Sequence, residues 1–338
     1  FDIAHIAGVS QPTVSRALRG SELVSAATRE KVQRIAKELN YKVDVNARKL
    51  RSNTSNTLAL LVFEDPGGGE AFINPFFLSM LGSITRAATD HGYDLLISFQ
   101  QLSEDWSAEY EDSNKADGLI FLGYGDYKTY IKRAAELDKQ NAHFVTWGPV
   151  IKNQPEHFIG CDNTDGGYRA TDHLLSLGHR NIAFIGETSK SCPEFRDRYK
   201  GYRAAHEEYS ITLDPQLQFD ADFSEASGYE AVKRLLKSER PFTSIFCCSD
   251  LLAIGAIKAL RQVGLRVPRD VSIVGFDDIH AAEHFSPSLS TIRQDTWLAG
   301  KMLVESVIRS IKGEKIESIL IPVQLMVRDS TAVPTNLV

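Results

Sequence analysis

The sequence predicts a small all-α head followed by a large α/β body of two doubly wound parallel sheets. Three observations predict it. Phe1 to Ser52 reads as short helical segments that meet at a Gly-containing turn. From Leu58 onward, short apolar runs alternate with amphipathic segments, the signature of repeated βα units with helices on both faces of a sheet. Between them, Ser52-Asn53-Thr54-Ser55-Asn56-Thr57 is a polar linker and the best domain boundary. At 338 residues the chain has room for two or three domains of about 100–200 residues each. One sheet could hold all the βα units, but two sheets of about five strands fit domain size better.

In the head, Asp2 to Ala7 places Ile3, Ile6 and Ala7 on one helical face. Ser10 is suited to cap the next helix, and Pro12 falls in its first turn, where proline is tolerated. The third helix starts near Ser25, carries Val32, Ile35, Ala36 and Leu39 at i, i+3, i+4, i+7 spacing, and ends around Asn40-Tyr41. The first two helices meet at Gly8, and the second exposes Gln, Ser, Thr and Arg. That layout is a helix-turn-helix, whose second helix lies in the DNA major groove. Asp44 to Arg51 can add two helical turns capped by Asp44, but so short a helix is marginal alone in water and needs a partner or DNA.

In the body, the strand-like runs are Leu58–Phe63, Tyr93–Ser98, Asp117–Leu122 and His143–Trp147. The pattern restarts at Phe158–Cys161, Asn181–Gly186, Leu217–Ala221, Ser244–Cys248 and Val271–Gly275. Ser290–Gln294 is strand-like, a helix follows from Asp295 to about Lys312, and Ser318–Ile321 and Gln324–Arg328 read as strands. A long helix this late returns most simply to the first sheet, producing several chain crossings between two lobes. Parallel sheets bind ligands at the carboxyl ends of their strands, so two that face each other enclose a cleft.

Composition is that of an ordinary soluble globular protein, with 43% apolar and 24% charged residues. There is no run of about 18 apolar residues to span a membrane and no basic-plus-apolar leader. The chain opens on Phe1 rather than Met, so a few natural N-terminal residues are expected to precede it. Net charge is −6, unevenly spread: residues 1–57 hold ten Lys/Arg against five Asp/Glu, and the remainder 28 against 39. A basic head on an acidic body suits a local polyanion contact. Cys161, Cys192, Cys247 and Cys248 form no C-x-x-C pair and have apolar flanks, which points to reduced thiols and a cytosolic setting.

These residues resemble the lactose/galactose-repressor (LacI/GalR) family of bacterial transcription regulators, from Phe1 to about Asp329. The resemblance is carried by Ala7-Gly8-Val9-Ser10 with Thr13-Val14-Ser15-Arg16, by Val24-Ser25 with Thr28-Arg29-Glu30-Lys31-Val32, and by Leu39-Asn40-Tyr41. Leu177-Gly178-His179-Arg180-Asn181-Ile182-Ala183, Val267-Pro268 and Asp270-Val271-Ser272-Ile273-Val274-Gly275-Phe276-Asp277-Asp278 extend it through the body. It implies a helix-turn-helix headpiece (1–43), a hinge helix and linker (44–57), and an effector-binding and dimerisation domain (58–338) with a periplasmic-binding-protein-like fold. The implied subdomains are about 58–157 with 292–321, and about 158–289 with 322–338.

The resemblance also implies a homodimer on a roughly palindromic operator. Gln11, Pro12 and Arg16 match the family's base readers, and arginine has the chemistry to bond guanine bidentately. Ser10, Thr13, Ser15, Ser25, Thr28 and Tyr41 match positions that mostly touch phosphates. Leu50 matches a wedge that opens the central base step from the minor groove, with Asn46 and Ala47 on the same hinge helix and Arg48, Lys49 and Arg51 suited to the phosphate rails. Pro12 has no side-chain donor and Arg19 stands where Asn is common, so the operator sequence does not transfer from relatives. Tetrameric relatives add a C-terminal leucine heptad helix; Thr331 to Val338 holds none, so a dimer is expected.

For the effector, Arg198 matches the arginine that grips the ligand, Asp277 the acid that accepts its hydroxyl or N–H groups, and Phe223 an aromatic stacked on its ring. Asp250 lies beside the polar-contact position, here Ser249 where many relatives carry Asn. Asn74-Pro75-Phe76-Phe77 and Trp147-Gly148 should face the cleft from the first lobe, and Gln294 sits at a lobe crossing. Aromatics over a ring with charged groups at its edge suit a small sugar, and a purine or nucleoside is the competing ligand class. Ligand binding then either loosens the operator complex (induction) or tightens it (corepression).

Other functions fit less well. A sugar-binding transport receptor calls for a leader peptide and no helix-turn-helix. An α/β enzyme using Asp277 and Asp278 as an acid pair needs both on one face, whereas adjacent strand residues point to opposite faces. Gly67-Gly68-Gly69 lacks the Gly-Lys-Ser/Thr of a phosphate loop, Gly123-Tyr124-Gly125 lacks the third glycine of a dinucleotide site, and Asp172, His173 and His179 lack metal-ligand spacing. No catalytic residue, metal or cofactor is expected.

Overall fold

The computed structural model describes residues 2–18, 20–39, 41, 54–63, 74–100, 108–123, 127–151, 154 and 157–335. The chain divides into two units, Phe1–Thr54 and Ser55–Val338. In the first, α1 (Asp2–Ala7), α2 (Gln11–Leu18) and α3 (Ala26–Glu38) close around Ile3, Ala7, Val14, Ala17, Val24, Val32, Ile35 and Ala36. Ile6, grouped by spacing with Ile3 and Ala7, instead remains half exposed. The i, i+4 pair Ile3 and Ala7 takes the seam, and a six-residue helix has no room for a wider apolar stripe. The hinge segment Asp44–Arg51 and the glycine run 67–69 lie outside the described residues.

The second unit contains two six-stranded sheets. The first is built from β1 (Thr57–Phe63), β2 (Asp94–Gln100), β3 (Gly118–Gly123), β4 (Phe144–Trp147), β5 (Phe158–Cys161) and, much later, β11 (Ile319–Ile321), in the order β11-β5-β4-β3-β1-β2, all parallel. The second holds β6 (Ile182–Ile185), β7 (Gln218–Phe219), β8 (Ser244–Cys247), β9 (Ser272–Asp277), β10 (Ser290–Gln294) and β12 (Val323–Met326), in the order β12-β10-β9-β8-β6-β7, with only the β10–β12 pair antiparallel. The inner strands β1, β3, β6, β8 and β9 are near-continuous buried runs because both faces are covered, whereas the edge strand β2 is largely exposed. The covering helices are α4 (Pro75–Asp90), α5 (Tyr127–Lys139), α6 (Asn163–Ser176), α7 (Pro193–Glu208), α8 (Glu225–Lys237), α9 (Asp250–Gln262), the short α10 (His280–His284) and α11 (Thr296–Ile311).

Two strands sit in the other sheet from the one their sequence position suggested. Phe158–Cys161 pairs with β4 and closes the first sheet rather than starting the second. Ser290–Gln294 pairs with β9 and belongs to the second. A parallel run looks alike in either sheet, and only its hydrogen-bonded neighbour decides. The crossings therefore fall at Asp162, Asp295 and Pro322, each a single residue between elements of different lobes. Two of the three are helix caps: Asp162 accepts the N–H of Asp165 at 2.9 Å and Asp295 that of Leu298 at 2.8 Å. As expected for the late helix, α11 returns to the first lobe and packs on α4 and on β3 to β5.

The second lobe's helices approach closely in pairs. A Cβ on Gly201 of α7 would lie 2.1 Å from the Thr164 carbonyl oxygen of α6, and one on Gly255 of α9 would lie 2.0 Å from that of Glu225 in α8. Gly82, exposed on α4, meets nothing within 4 Å. In urea unfolding, Gly201→Ala should therefore cost roughly 1–3 kcal/mol, because rigid backbone has to move apart. Gly82→Ala should instead gain up to about 1 kcal/mol, because only helix propensity changes.

Candidate functional site

In the head, α2 buries Val14 and Ala17, and this turns Gln11, Pro12 and Arg16 outward. Ser15 and Thr13 are half-buried at its flanks. Both helix starts repeat one device. Ser10 accepts the Thr13 N–H at 3.4 Å and its hydroxyl lies 2.8 Å from that of Thr13; Ser25 accepts the Thr28 N–H at 3.3 Å and its hydroxyl lies 2.9 Å from that of Thr28. The Ser10 and Ser25 hydroxyls thus cap helices, each bonded to the threonine hydroxyl three residues on, and both serines remain exposed beside the N-terminal N–H groups, where a phosphate is favoured. Arg29 and Gln33 of α3 donate to the carbonyls of Gly20 and Ala17, bracing the end of the reading helix. Tyr41 is exposed just after α3. Arg19, Asn46, Ala47 and Leu50 lie outside the described residues.

In the body, the anticipated side chains gather at the carboxyl ends of strands. Trp147 ends β4, Asp277 ends β9 and Gln294 ends β10. Phe76, in the first turn of α4 after its Asn74 cap, sits with its ring 6.0 Å from that of Trp147 and 5.3 Å from that of Phe77. Opposite this aromatic wall is Arg198 of α7, which with Gln294 lines the same inner chamber. That chamber holds only about 10 Å³, room for a single water. A wider cleft of about 300 Å³ adjoins it, shares Phe76 and Gln294 with it, and reaches Asp277 and Trp297. Gln294 donates to Asp277 at 2.6 Å between the two spaces.

Arg198 is buried and heavily engaged. Its Nε donates to Asn163 at 2.8 Å, its Nη1 donates to the Cys248 carbonyl and lies 3.8 Å from Asp277, and its guanidinium sits 3.6 Å from the Phe276 ring centre. Burial pushes the Asp277 carboxyl above the usual range, with Arg198 and Gln294 pulling it back. Asp277 and Asp278 both have positive φ, 118° and 56°, outside the common regions for non-glycine residues. Their partners differ: Asp277 faces Arg198 and Gln294, whereas Asp278, just past the end of β9, forms ion pairs of 2.6 Å with both Arg293 and Arg328.

Three of the anticipated effector residues line neither the chamber nor the adjoining cleft. Ser249 is buried and caps α9 through Leu252. Asp250 is fully buried and accepts from the Ile279 N–H at 2.8 Å and the Thr291 hydroxyl at 2.6 Å, so it braces the β9 exit loop from below. Burial, then Asp277, drives its carboxyl far above the ordinary range. Phe223 packs on Phe195, ring centres 4.7 Å apart, one ring behind Arg198. Conversely, Asn163, Cys161 and Glu194 line the chamber without having been singled out. Glu194 stands four residues before Arg198 on one helix, and that i, i+4 spacing was a usable signal. Among the described residues no His, Cys, Asp and Glu side chains group as a metal site, and no helix is long and apolar enough to cross a membrane.

A helix-turn-helix on one unit and a cleft between two parallel sheets on the other define a ligand-responsive DNA-binding regulator. The comparisons agree. The family model for bacterial regulatory proteins of the lacI family matches residues 1–44, and that for the periplasmic binding protein-like domain matches residues 171–331. The HTH-type transcriptional repressor PurR of Haemophilus influenzae is 32% identical over 338 residues, 97% of each chain. The ribose operon repressor of the same species is 34% identical over 339 residues, again 97% of each. The solved lac repressor dimer bound to operator and the anti-inducer ONPF has a TM-score of 0.82 at 27% identity, over 98% of both chains. The chain belongs to the LacI family of bacterial regulatory proteins; it is a sequence-specific DNA-binding transcriptional regulator and not an enzyme.

Because Arg198 pins α6, β9 and the end of β8 together, Arg198→Ala should destabilise the second unit by about 3–5 kcal/mol in urea unfolding, the cost of stranding a buried carboxylate. Adding Asp277→Asn should recover part of that loss, and strictly additive effects would show the two groups to be uncoupled.

Proposed function

We propose that the protein represses carbohydrate-utilisation genes, binding a roughly palindromic operator as a homodimer whose affinity is set by a small sugar in the interlobe chamber. The carrying observation is the chamber's two-sided chemistry. Phe76 and Trp147 offer apolar rings on one side, and Arg198, Asn163 and Glu194 offer polar groups on the other, matching the C–H face and hydroxyl rim of a pyranose or furanose. The ribose operon repressor among its relatives supports a sugar. Phe76, Trp147, Arg198, Asp277 and Gln294 are the residues assigned to the effector. A sugar does not fit in about 10 Å³, so its entry moves the lobes, and that differential affinity for two lobe geometries is what shifts the operator equilibrium.

On DNA, Gln11, Pro12 and Arg16 meet base edges, while Ser10, Thr13, Ser15, Arg19, Ser25, Thr28 and Tyr41 hold the phosphates. Asn46, Ala47 and Leu50 belong to the hinge helix, with Leu50 as the minor-groove wedge. The protein acts in the cytoplasm, where its operator is. Dimerisation is supported by an edge. β2 leaves Leu96, Ile97 and Phe99 exposed on both its faces, and α4, which packs on it, leaves Leu78 exposed, an apolar edge of the kind that proteins normally cover. A second copy covers it, as the lac repressor relative is itself a dimer.

Isothermal titration tests the ligand class: binding of a sugar supports it, and binding of guanine or hypoxanthine without any sugar overturns it. In operator binding followed by fluorescence anisotropy, Leu50→Ala should weaken the complex at least about tenfold. Unchanged affinity and an unchanged ligand response would remove the wedge. Ile97→Asp should yield monomers by light scattering, and a persistent dimer would place the interface elsewhere.

A further inference from the structure

The turn between α2 and α3 carries a side chain that the head's own packing does not use. Leu23 is 83% exposed, more than any other large apolar side chain among the described residues. Its neighbour Val24 is the one that joins the core, with Val14, Ala17 and Val32. Single exposed leucines are common on protein surfaces. Two things set this one apart: how firmly it is held, and what flanks it.

The Ser21 N–H donates to the Arg16 carbonyl at 3.1 Å, the Val24 N–H to the Ser21 carbonyl at 3.2 Å, and the N–H of Leu23 itself to the Ser21 hydroxyl at 3.4 Å. Arg29 of α3 closes the other side, its Nη1 donating to the Gly20 carbonyl at 2.9 Å. With Val24 in the core and the turn tied to both helices, Leu23 is kept in water, at a cost that burial against another surface would recover. The flanks point to that surface. Ser21 is bonded to the last turn of α2 at Arg16, whose side chain is turned outward. Ser25, two residues past Leu23, caps α3 and is exposed together with the small apolar Ala26 and Ala27. The N–H groups that open α3 have no acceptor inside the helix, and an anion is favoured there. The excess of cations in residues 1–57 draws a polyanion rather than an apolar protein face. A DNA strand offers both chemistries side by side, since each phosphate is flanked by the C–H face of a deoxyribose.

We propose that Leu23 is a further DNA-contacting residue, which packs on an apolar C–H surface of the operator strand beside the phosphate at the start of α3. This rests on the reading of α2 and Ser25 as DNA-facing, and it adds an apolar contact to a set made mostly of polar groups. Such a contact strengthens binding without neutralising a phosphate, so it leaves the salt dependence of the complex unchanged.

The test uses the full chain and a palindromic duplex that it selects from random-sequence DNA, with affinity followed by fluorescence anisotropy over a range of salt concentrations. Leu23→Ser should weaken binding about tenfold, because each protomer loses apolar burial. The slope of log affinity against log salt should stay the same. The thermal unfolding midpoint should also stay, because the head's core does not use this side chain. Leu23→Met keeps the apolar reach and should bind within about threefold of the unaltered chain. A duplex with uracil in place of thymine separates the two sources of C–H surface. Unchanged affinity, or a loss common to the unaltered chain and Leu23→Ser, puts Leu23 on deoxyribose; a loss confined to the unaltered chain puts it on a thymine methyl. Leu23→Ser binding within about twofold of the unaltered chain, while Arg16→Ala weakens the complex, overturns the Leu23 contact and leaves the reading helix standing. A changed salt slope or a lowered unfolding midpoint in Leu23→Ser overturns it too, by showing the loss to be electrostatic or structural. If neither Leu23→Ser nor Arg16→Ala matters, or no duplex is selected, the DNA-facing reading of α2 falls together with this proposal.

Discussion

The second unit depends on one buried cation. A guanidinium taken out of water is stable only if its charge and its donors are met, and Arg198 meets them with groups from four places: Asn163 of α6, the carbonyl of Cys248 after β8, Asp277 at the end of β9 and the ring of Phe276. The backbone makes room for this convergence. A Cβ on Gly167 would lie 2.0 Å from the Arg198 carbonyl oxygen, and one on Gly166 would lie 2.6 Å from the Phe276 ring. Packing of α6 on α7 and charge compensation at Arg198 are therefore one constraint seen from two sides.

The same constraint decides which part of the cleft can move. The groups around Arg198 all belong to the second lobe or to the residue just past the Asp162 crossing, so that wall is rigid. The facing wall, Phe76, Phe77 and Trp147, is apolar and held to it by no ion pair. Gln294, which ends β10 one residue before the Asp295 crossing, bonds Asp277 at the end of the neighbouring strand and so belongs to that same rigid wall of the second lobe. Ligand energy is best coupled to lobe movement where a rigid polar face meets an apolar one across short connections.

Much of this was legible in the residues. The strands of both sheets stood out as apolar runs, the late helix was assigned back to the first lobe, and Arg198, Asp277, Phe76, Trp147 and Gln294 do come together. The failures have physical causes. The sheet membership of Phe158–Cys161 and Ser290–Gln294 depends on a hydrogen-bonded neighbour that pattern cannot supply. Ser249 and Asp250 follow a strand end, as ligand residues do, but the same position also starts α9, and capping with loop bracing took both side chains. In the head, Ser10 and Ser25 match phosphate-contact positions, and both cap helices, as the sequence suggested for Ser10. A hydroxyl beside a helix N-terminus suits both roles, so sequence alone ranks neither first.

One contact bears on how lobe movement could leave the body. Asp117, just ahead of β3, accepts from the Ser55 N–H at 2.5 Å, the Ser55 hydroxyl at 2.8 Å and the Asn56 N–H at 2.8 Å. Both oxygens of one carboxylate thus hold the first residues of the second unit against the start of the first sheet. β1 begins at the next residue, Thr57, paired to both β2 and β3. The chain has no slack here: whatever displaces the first lobe displaces Ser55 by the same amount. A signal generated at the carboxyl ends of the strands is in this way available at their amino ends, on the far side of the sheet, without any change inside the sheet itself.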